Sequence, residues 1–156
     1  MPSPYLKAAS LGMIAGMRSM GAPAQVSAYL ARTHPVPLHG TPLAWLESPV
    51  AAAVLRTLAA GEVVADKLPK TPARTEPASV AFRAASGGLC GAALCAAEGE
   101  EALIGAAIGA LAAVASTFAF YHLRRRLDKG TGAPDALFAV VEDALVVGIG
   151  RRVLGA

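Results

Sequence analysis

Five long apolar runs separated by short polar or charged segments organise the chain: about Tyr5 to Ala31, Pro49 to Ala65, Ala78 to Ala97, Glu101 to His122 and Asp135 to Leu154. None of them alternates apolar and polar residues as a half-buried strand would, and Ala, a poor strand former, is the commonest residue of the first four, so the pattern predicts helices. At a rise of about 1.5 Å per residue each run approaches or exceeds the span of a hydrocarbon layer about 30 Å thick, the second being the shortest. Between the runs lie a Pro-rich segment from Thr33 to Pro42, a basic segment from Lys67 to Pro77, an acidic turn with Glu98, Glu100 and Glu101, and a basic segment from Arg124 to Gly132. The expected fold is all-α: a single integral membrane domain over residues 1–156, built as a polytopic helix bundle of about five transmembrane helices. Gly21-Ala22-Pro23 should break the first of them, because proline removes a backbone donor and clashes with the preceding turn.

Composition supports this frame. Of 156 residues 54% are hydrophobic and only 16% charged, and the mean hydropathy is +0.50, outside the habit of soluble domains. Much of the apolar content is Ala and Gly, which leaves a soluble Ala-rich helical protein as the alternative. Lys7 before an apolar run and Ala22-Pro23-Ala24 after it imitate a secretory leader. Arg18 interrupts the run where a leader would be uncharged, so the segment is read as a retained first span. Cys90 and Cys95, five apart in one apolar run, match no zinc or redox spacing and are read as small buried thiols.

With five spans, Lys7, Lys67, Lys70, Arg74, Arg83, Arg124, Arg125, Arg126 and Lys129 fall on one side and Arg32, Arg151 and Arg152 on the other. Cytoplasmic flanks hold the excess of Lys and Arg, so the count predicts a cytoplasmic amino terminus and a carboxyl terminus outside the cytoplasm. The pairs Gly12/Gly16, Gly87/Gly91 and Gly105/Gly109 each place two glycines on one helix face, where backbones approach closely within one chain or between copies. Gly12 and Gly105 also open two helix pairs that each end in a carboxylate-bearing helix, the arrangement expected of an inverted repeat.

The candidate chemistry lies in charges inside the apolar runs. An ionisable side chain at bilayer depth costs roughly 2.5–3.5 kcal/mol on insertion scales and persists where it faces a bundle interior, a counter-charge or water. Glu62 and Asp66, four apart, share a helix face and stand about 6 Å from one another; two carboxylates that close need a cation, a proton or an arginine between them. Glu142 and Asp143 are adjacent and diverge by about 100°. Arg18, near the middle of the first run, is the natural counter-charge and should lie within ion-pair reach of a carboxylate on another span. Arg124, Arg125 and Arg126 follow Phe118, Phe120 and Tyr121 as the basic end of a helix at a membrane interface and suit anionic lipid. His34, His39 and Trp45 read as interfacial or solvated residues, and His122 as a surface histidine.

The strings Gly16-Met17-Arg18-Ser19-Met20 with Pro23, Gly61-Glu62 with Ala65-Asp66-Lys67-Leu68-Pro69, Pro72-x-Arg74, and Gly132-x-Pro134-Asp135 with Glu142-Asp143-Ala144 resemble an uncharacterised family of small bacterial integral membrane proteins, domain of unknown function 4126. The resemblance covers nearly the whole chain. It implies a membrane location and no particular activity or cofactor, and its motif positions coincide with the charges above. The binding residues expected on both grounds are Arg18, Glu62, Asp66, Lys67, Arg74, Asp135, Glu142 and Asp143. The leading function is a small transporter or channel, working as a homo-oligomer in the lipid bilayer, with no nucleic-acid partner, in which Glu62, Asp66 and Glu142 or Asp143 take a cation or proton and Arg18 balances them. One alternative is a membrane enzyme on a lipid phosphate, with Asp66, Asp135 and Asp143 holding Mg²⁺ and Lys67, Lys70 and Arg74 holding phosphate. The other is an assembly protein in which the charges form a structural ion network.

Overall fold

The computed structural model describes residues 2–33, 36–65, 75–131 and 135–155, and their side chains except those of 36, 128–131 and 135–137. The described residues form six α-helices and no strand: α1 Pro4–Met17, α2 Gly21–Thr33, α3 Pro49–Ala65, α4 Pro77–Ala97, α5 Ala102–Thr131 and α6 Asp135–Leu154, with short 3-10 turns at Val36–Leu38 and Ala44–Glu47. Proline opens α1, α3 and α4, where a missing N–H costs nothing. Ser3 Oγ accepts from Leu6 N and Ser48 Oγ from Val50 N, satisfying orphan donors of α1 and α3. A Schellman turn ends α4: Glu100 N donates to Cys95 O at 2.8 Å and Gly99 N to Ala96 O at 3.1 Å. Gly99 takes φ +78°, a left-handed value that strains any residue with a Cβ.

The first apolar run is two helices, and the second doubles back on the first. Lys7 Nζ lies 2.6 Å from Glu98 Oε1 and Arg83 holds the last carbonyls of α1, so α1 and α4 are antiparallel. Gly12 packs on Gly109 and Gly16 on Ser116, so α1 and α5 run the same way. Along α2, Gly21 meets Val146 and Gln25 meets Gly150, so α2 and α6 are parallel. Gly21 also faces Ile14 across the break, and the 3-10 turn after α2 packs on α4. The covered half of α4 is the one beyond Ser86, with Cys90, Ala93 and Leu94 at 0–1% exposure, whereas Phe82 is half exposed. The pair α1–α2 is therefore a helical hairpin whose tip, Arg18 to Met20, points toward the end where α3 and α5 finish and α4 and α6 begin.

This geometry corrects two expectations. Residues 5–31 are not one broken span in a single direction, and Lys7 sits at the end of the bundle that carries Glu98, away from Arg124 to Arg126 on α5. It also removes the basis for an inverted repeat, because α1 and α5, the helices expected to head the two opposed units, lie side by side in the same direction.

The core is the contact of α1, α4 and α5, made by glycine. A Cβ at Gly12 would strike Gly109 O, at Gly87 the same oxygen, and at Gly91 Gly105 O. Every glycine pair expected from spacing lies in this contact, which lets three backbones approach as small residues do inside a membrane. Replacing Gly91 by leucine should lower stability by about 1–3 kcal/mol or more, since backbone and not a flexible side chain must give way. Thermal unfolding of purified protein in detergent checks this, with Gly61→Leu, where a Cβ meets open space, as the neutral control.

Around that core the usual partition is inverted. Arg18, Arg83 and Glu142 are 4–5% exposed, while Leu103, Leu111 and Val50 are 71–79% exposed. Two helical segments among the described residues, Pro77–Ala97 and Ala102–Leu127, are long and apolar enough to cross a membrane. The α1–α2 pair is divided into lengths of 14 and 13 residues, and α3 has 17.

Candidate functional site

A helix break exposes two sets of unpaired backbone groups, carbonyls at the end of the first half and amides at the start of the second. Here the break falls at Arg18-Ser19-Met20, upstream of Gly21-Ala22-Pro23. The reason is local. Proline is tolerated in the first turn of a helix but clashes with the carbonyl four residues back, which for Pro23 belongs to Ser19, so the chain must leave the helix before that point. Arg18 is extended, at φ −137° and ψ 108°.

Side chains from α3, α4 and α5 serve the exposed groups. Arg83 Nη1 donates to Gly16 O at 2.8 Å and to Met17 O at 3.1 Å, and Thr117 Oγ1 donates to Gly16 O at 3.3 Å. Glu62 accepts from the Ser19 amide at 2.9 Å, the Ser19 hydroxyl at 2.5 Å and the Met20 amide at 2.8 Å. Ser86 Oγ donates to Ser19 O. A cation thus sits at the negative end of α1 and an anion at the positive start of α2, each the favourable sign for its helix end. Broken backbone inside an apolar bundle requires such partners.

The remaining charges come from α6. Arg18 Nε lies 2.9 Å from Asp143 Oδ1, the inter-helix ion pair expected of Arg18; the arginine side chain is 4% exposed and the aspartate 38%. Glu142 is buried beside it in sequence, at 5%. Two guanidinium groups, Arg18 and Arg83, and two carboxylates, Glu62 and Asp143, therefore gather around one break, and Glu142, next to Asp143 in sequence, is buried. Asp66, Lys67, Lys70 and Arg74 lie outside the described residues, and Asp135 opens α6 with its side chain outside them. Among the described residues no group of three His, Cys, Asp or Glu side chains is arranged to hold a metal ion.

Arg83 was missed by reading the sequence, which assigns it to the basic flank of α4. The structure buries it instead. A signal was present: Ser79, Arg83, Ser86 and Cys90 recur at helical spacing and form one polar stripe on an otherwise apolar helix, the mark of a face turned inward. Ser79 Oγ accepts from Arg83 Nε at 3.4 Å within that stripe. At the opposite end of the bundle His39 Nε2 is 3.1 Å from Glu47 Oε2, with the histidine 64% exposed as a solvated residue would be.

The pattern of the family described as Domain of unknown function (DUF4126) matches residues 6–151. The chain belongs to that family. The match takes in α1 from Leu6 onward, the helix break, α3 to α5 and most of α6, so Arg18, Glu62, Arg83, Glu142 and Asp143 all lie within the DUF4126 region. No curated protein and no solved structure matches the chain.

Proposed function

We propose that this DUF4126 protein is a multi-pass membrane protein that passes a proton or small cation at the tip of a re-entrant helical hairpin. One observation carries the reading: two carboxylates, Glu62 and Asp143, and two guanidinium groups converge on a broken helix, with a third buried carboxylate, Glu142, next in sequence, in a bundle that exposes many large apolar side chains. In a low-dielectric interior a buried carboxylate is held by a proton, a cation or a counter-charge. Oxygen ligands for either are close by in the Ser19 and Ser86 hydroxyls and the carbonyls around the break. Asp143, more exposed than its arginine, gives the site an approach from outside the bundle. Discontinuous helices with ions near their free ends are the usual construction of transport sites. In this reading α3, α4, α5 and α6 cross the membrane and the α1–α2 hairpin enters and leaves on one side.

Flux into liposomes under an imposed proton, Na⁺ or K⁺ gradient tests it. Native protein should conduct, and Glu62→Gln and Glu142→Gln should each lower the rate at least about tenfold while remaining folded, since an ionisable relay then becomes a fixed neutral group. Well-folded native protein with no flux of any of the three ions would sink the proposal. A structural ion network is favoured by the fact that Glu62 and Arg83 are engaged in capping helix ends. Under that reading the neutral variants lose stability and leave cells lacking the protein and cells carrying the variants indistinguishable in ion handling.

A further inference from the structure

At the end of the bundle away from the hairpin tip, α2 and α6 part to leave an open groove of about 410 Å³ lined by Gln25, Ala28, Arg32, Val147, Arg151 and Leu154. The floor is closed by Gln25, whose Nε2 donates to Val146 O at 3.1 Å and whose carboxamide lies against Gly150. The walls are apolar: Ala28 and Leu154 are buried and Val147 is half exposed. The mouth holds two exposed cations, Arg32 and Arg151. Arg32 spends Nε on Ala28 O at 3.0 Å, which leaves its terminal nitrogens to donate outward. Of the acids at this end, Glu98 is engaged with Lys7, Glu100 with the Tyr5 hydroxyl and Glu47 with His39, and Glu101 is exposed just before α5. Among the described residues no ion pair joins Arg32 or Arg151 to a carboxylate.

From these features we propose that the groove between α2 and α6 binds an anionic phospholipid, with its phosphate held between Arg32 and Arg151 and the root of an acyl chain lying along Val147. Charge complementarity selects an anion, because two guanidinium groups at a groove mouth present forked donors that match phosphate oxygens. The apolar walls select a lipid over free phosphate, which would leave most of the volume unfilled by anything compatible with Ala28, Val147 and Leu154. Basic pockets between membrane helices take lipid headgroups in this way. A helix-end arginine is explained by the helix dipole alone; the open apolar groove between two such arginines is not. The inference depends on membrane insertion and not on transport, so loss of flux leaves it standing.

Native mass spectrometry of the full chain in detergent, titrated with phosphatidylglycerol or phosphatidylcholine, tests it. Native protein should retain phosphatidylglycerol about tenfold more tightly, an effect on the scale of one charge-assisted contact. Arg32→Gln with Arg151→Gln should abolish the preference, the corresponding lysine variants should keep most of it, and Val147→Trp should weaken retention of both lipids by filling the groove. Arg56→Gln, an exposed cation of α3 outside the groove, should leave the preference intact. Each of four results overturns the proposal: equal retention of both lipids by native protein, a preference lost in the Arg56 variant instead, displacement of bound lipid by millimolar glycerol phosphate, or a dimer formed through Arg151→Cys cross-links in place of lipid binding. Thermal unfolding of each variant separates loss of binding from loss of fold.

Discussion

Arg83→Met should leave little monodisperse protein after extraction, or protein whose stability falls by about 3–5 kcal/mol, the range for stranding one side of a buried charged contact. Three losses add up at one place. The guanidinium is 5% exposed and donates to both Gly16 O and Met17 O, so its removal leaves Met17 O without that donor and Gly16 O with Thr117 Oγ1 alone. A buried carbonyl left unsatisfied costs about 1–3 kcal/mol. The negative end of α1 also loses its counter-charge. Total stabilities of about 5–15 kcal/mol leave little room for such a change. Arg83→Lys keeps the charge but not the fork and should fall between native and methionine variants. Arg18→Met should be milder, because its partner Asp143 is 38% exposed and finds other solvation. The order of thermal midpoints, native above Arg18→Met above Arg83→Met, is the diagnostic result; an Arg83→Met protein as stable as native would show that the break is held by other means.

That ordering reverses the weight the residues carry in the sequence, where Arg18 stands alone in an apolar run and Arg83 looks like a helix flank. Apolar runs and proline positions located α3, α4 and α6 nearly to the residue, since each begins at a proline or a charge and runs without interruption. The glycine spacings located the faces that meet, because a four-residue interval fixes a face whatever the partner. The ion pair of Arg18 followed from the cost of leaving a guanidinium alone at depth. Direction did not follow. The 27 residues from Tyr5 to Ala31 fit one long tilted span or two half-length helices equally well, and Pro23 announces a break without setting the angle at which the chain resumes. The angle is fixed by contacts distant in sequence: Glu62 on the amides of α2, Arg83 on the carbonyls of α1 and Gly150 beneath Gln25.

The hairpin makes an all-or-none prediction about sidedness. A cysteine at Ser3 and one at Gly155 should both react with an impermeant maleimide from the same side of the membrane, and one at Thr75 from the opposite side. The contacts require this in a bundle that crosses the bilayer: Lys7 touches Glu98 at the α4–α5 turn, Arg32 and Arg151 flank one groove, and Thr75 adjoins the end of α4 nearest the hairpin tip. Charge then assigns the sides. In sequence, Lys67, Lys70 and Arg74 connect α3 to α4 and Arg124, Arg125, Arg126 and Lys129 close α5, whereas Lys7, Arg32, Arg151 and Arg152 belong to the helix ends away from the tip. By the positive-inside rule this excess predicts a cytoplasmic tip end, with residues 3 and 155 on the far side. Cys90 and Cys95 are 1% and 0% exposed, so the native thiols contribute little background in the folded protein. A single continuous first span would instead place residues 3 and 155 on opposite sides, with Ser3→Cys labelled together with Thr75→Cys. That outcome would dismantle the hairpin and, with it, the arrangement of charges at its tip.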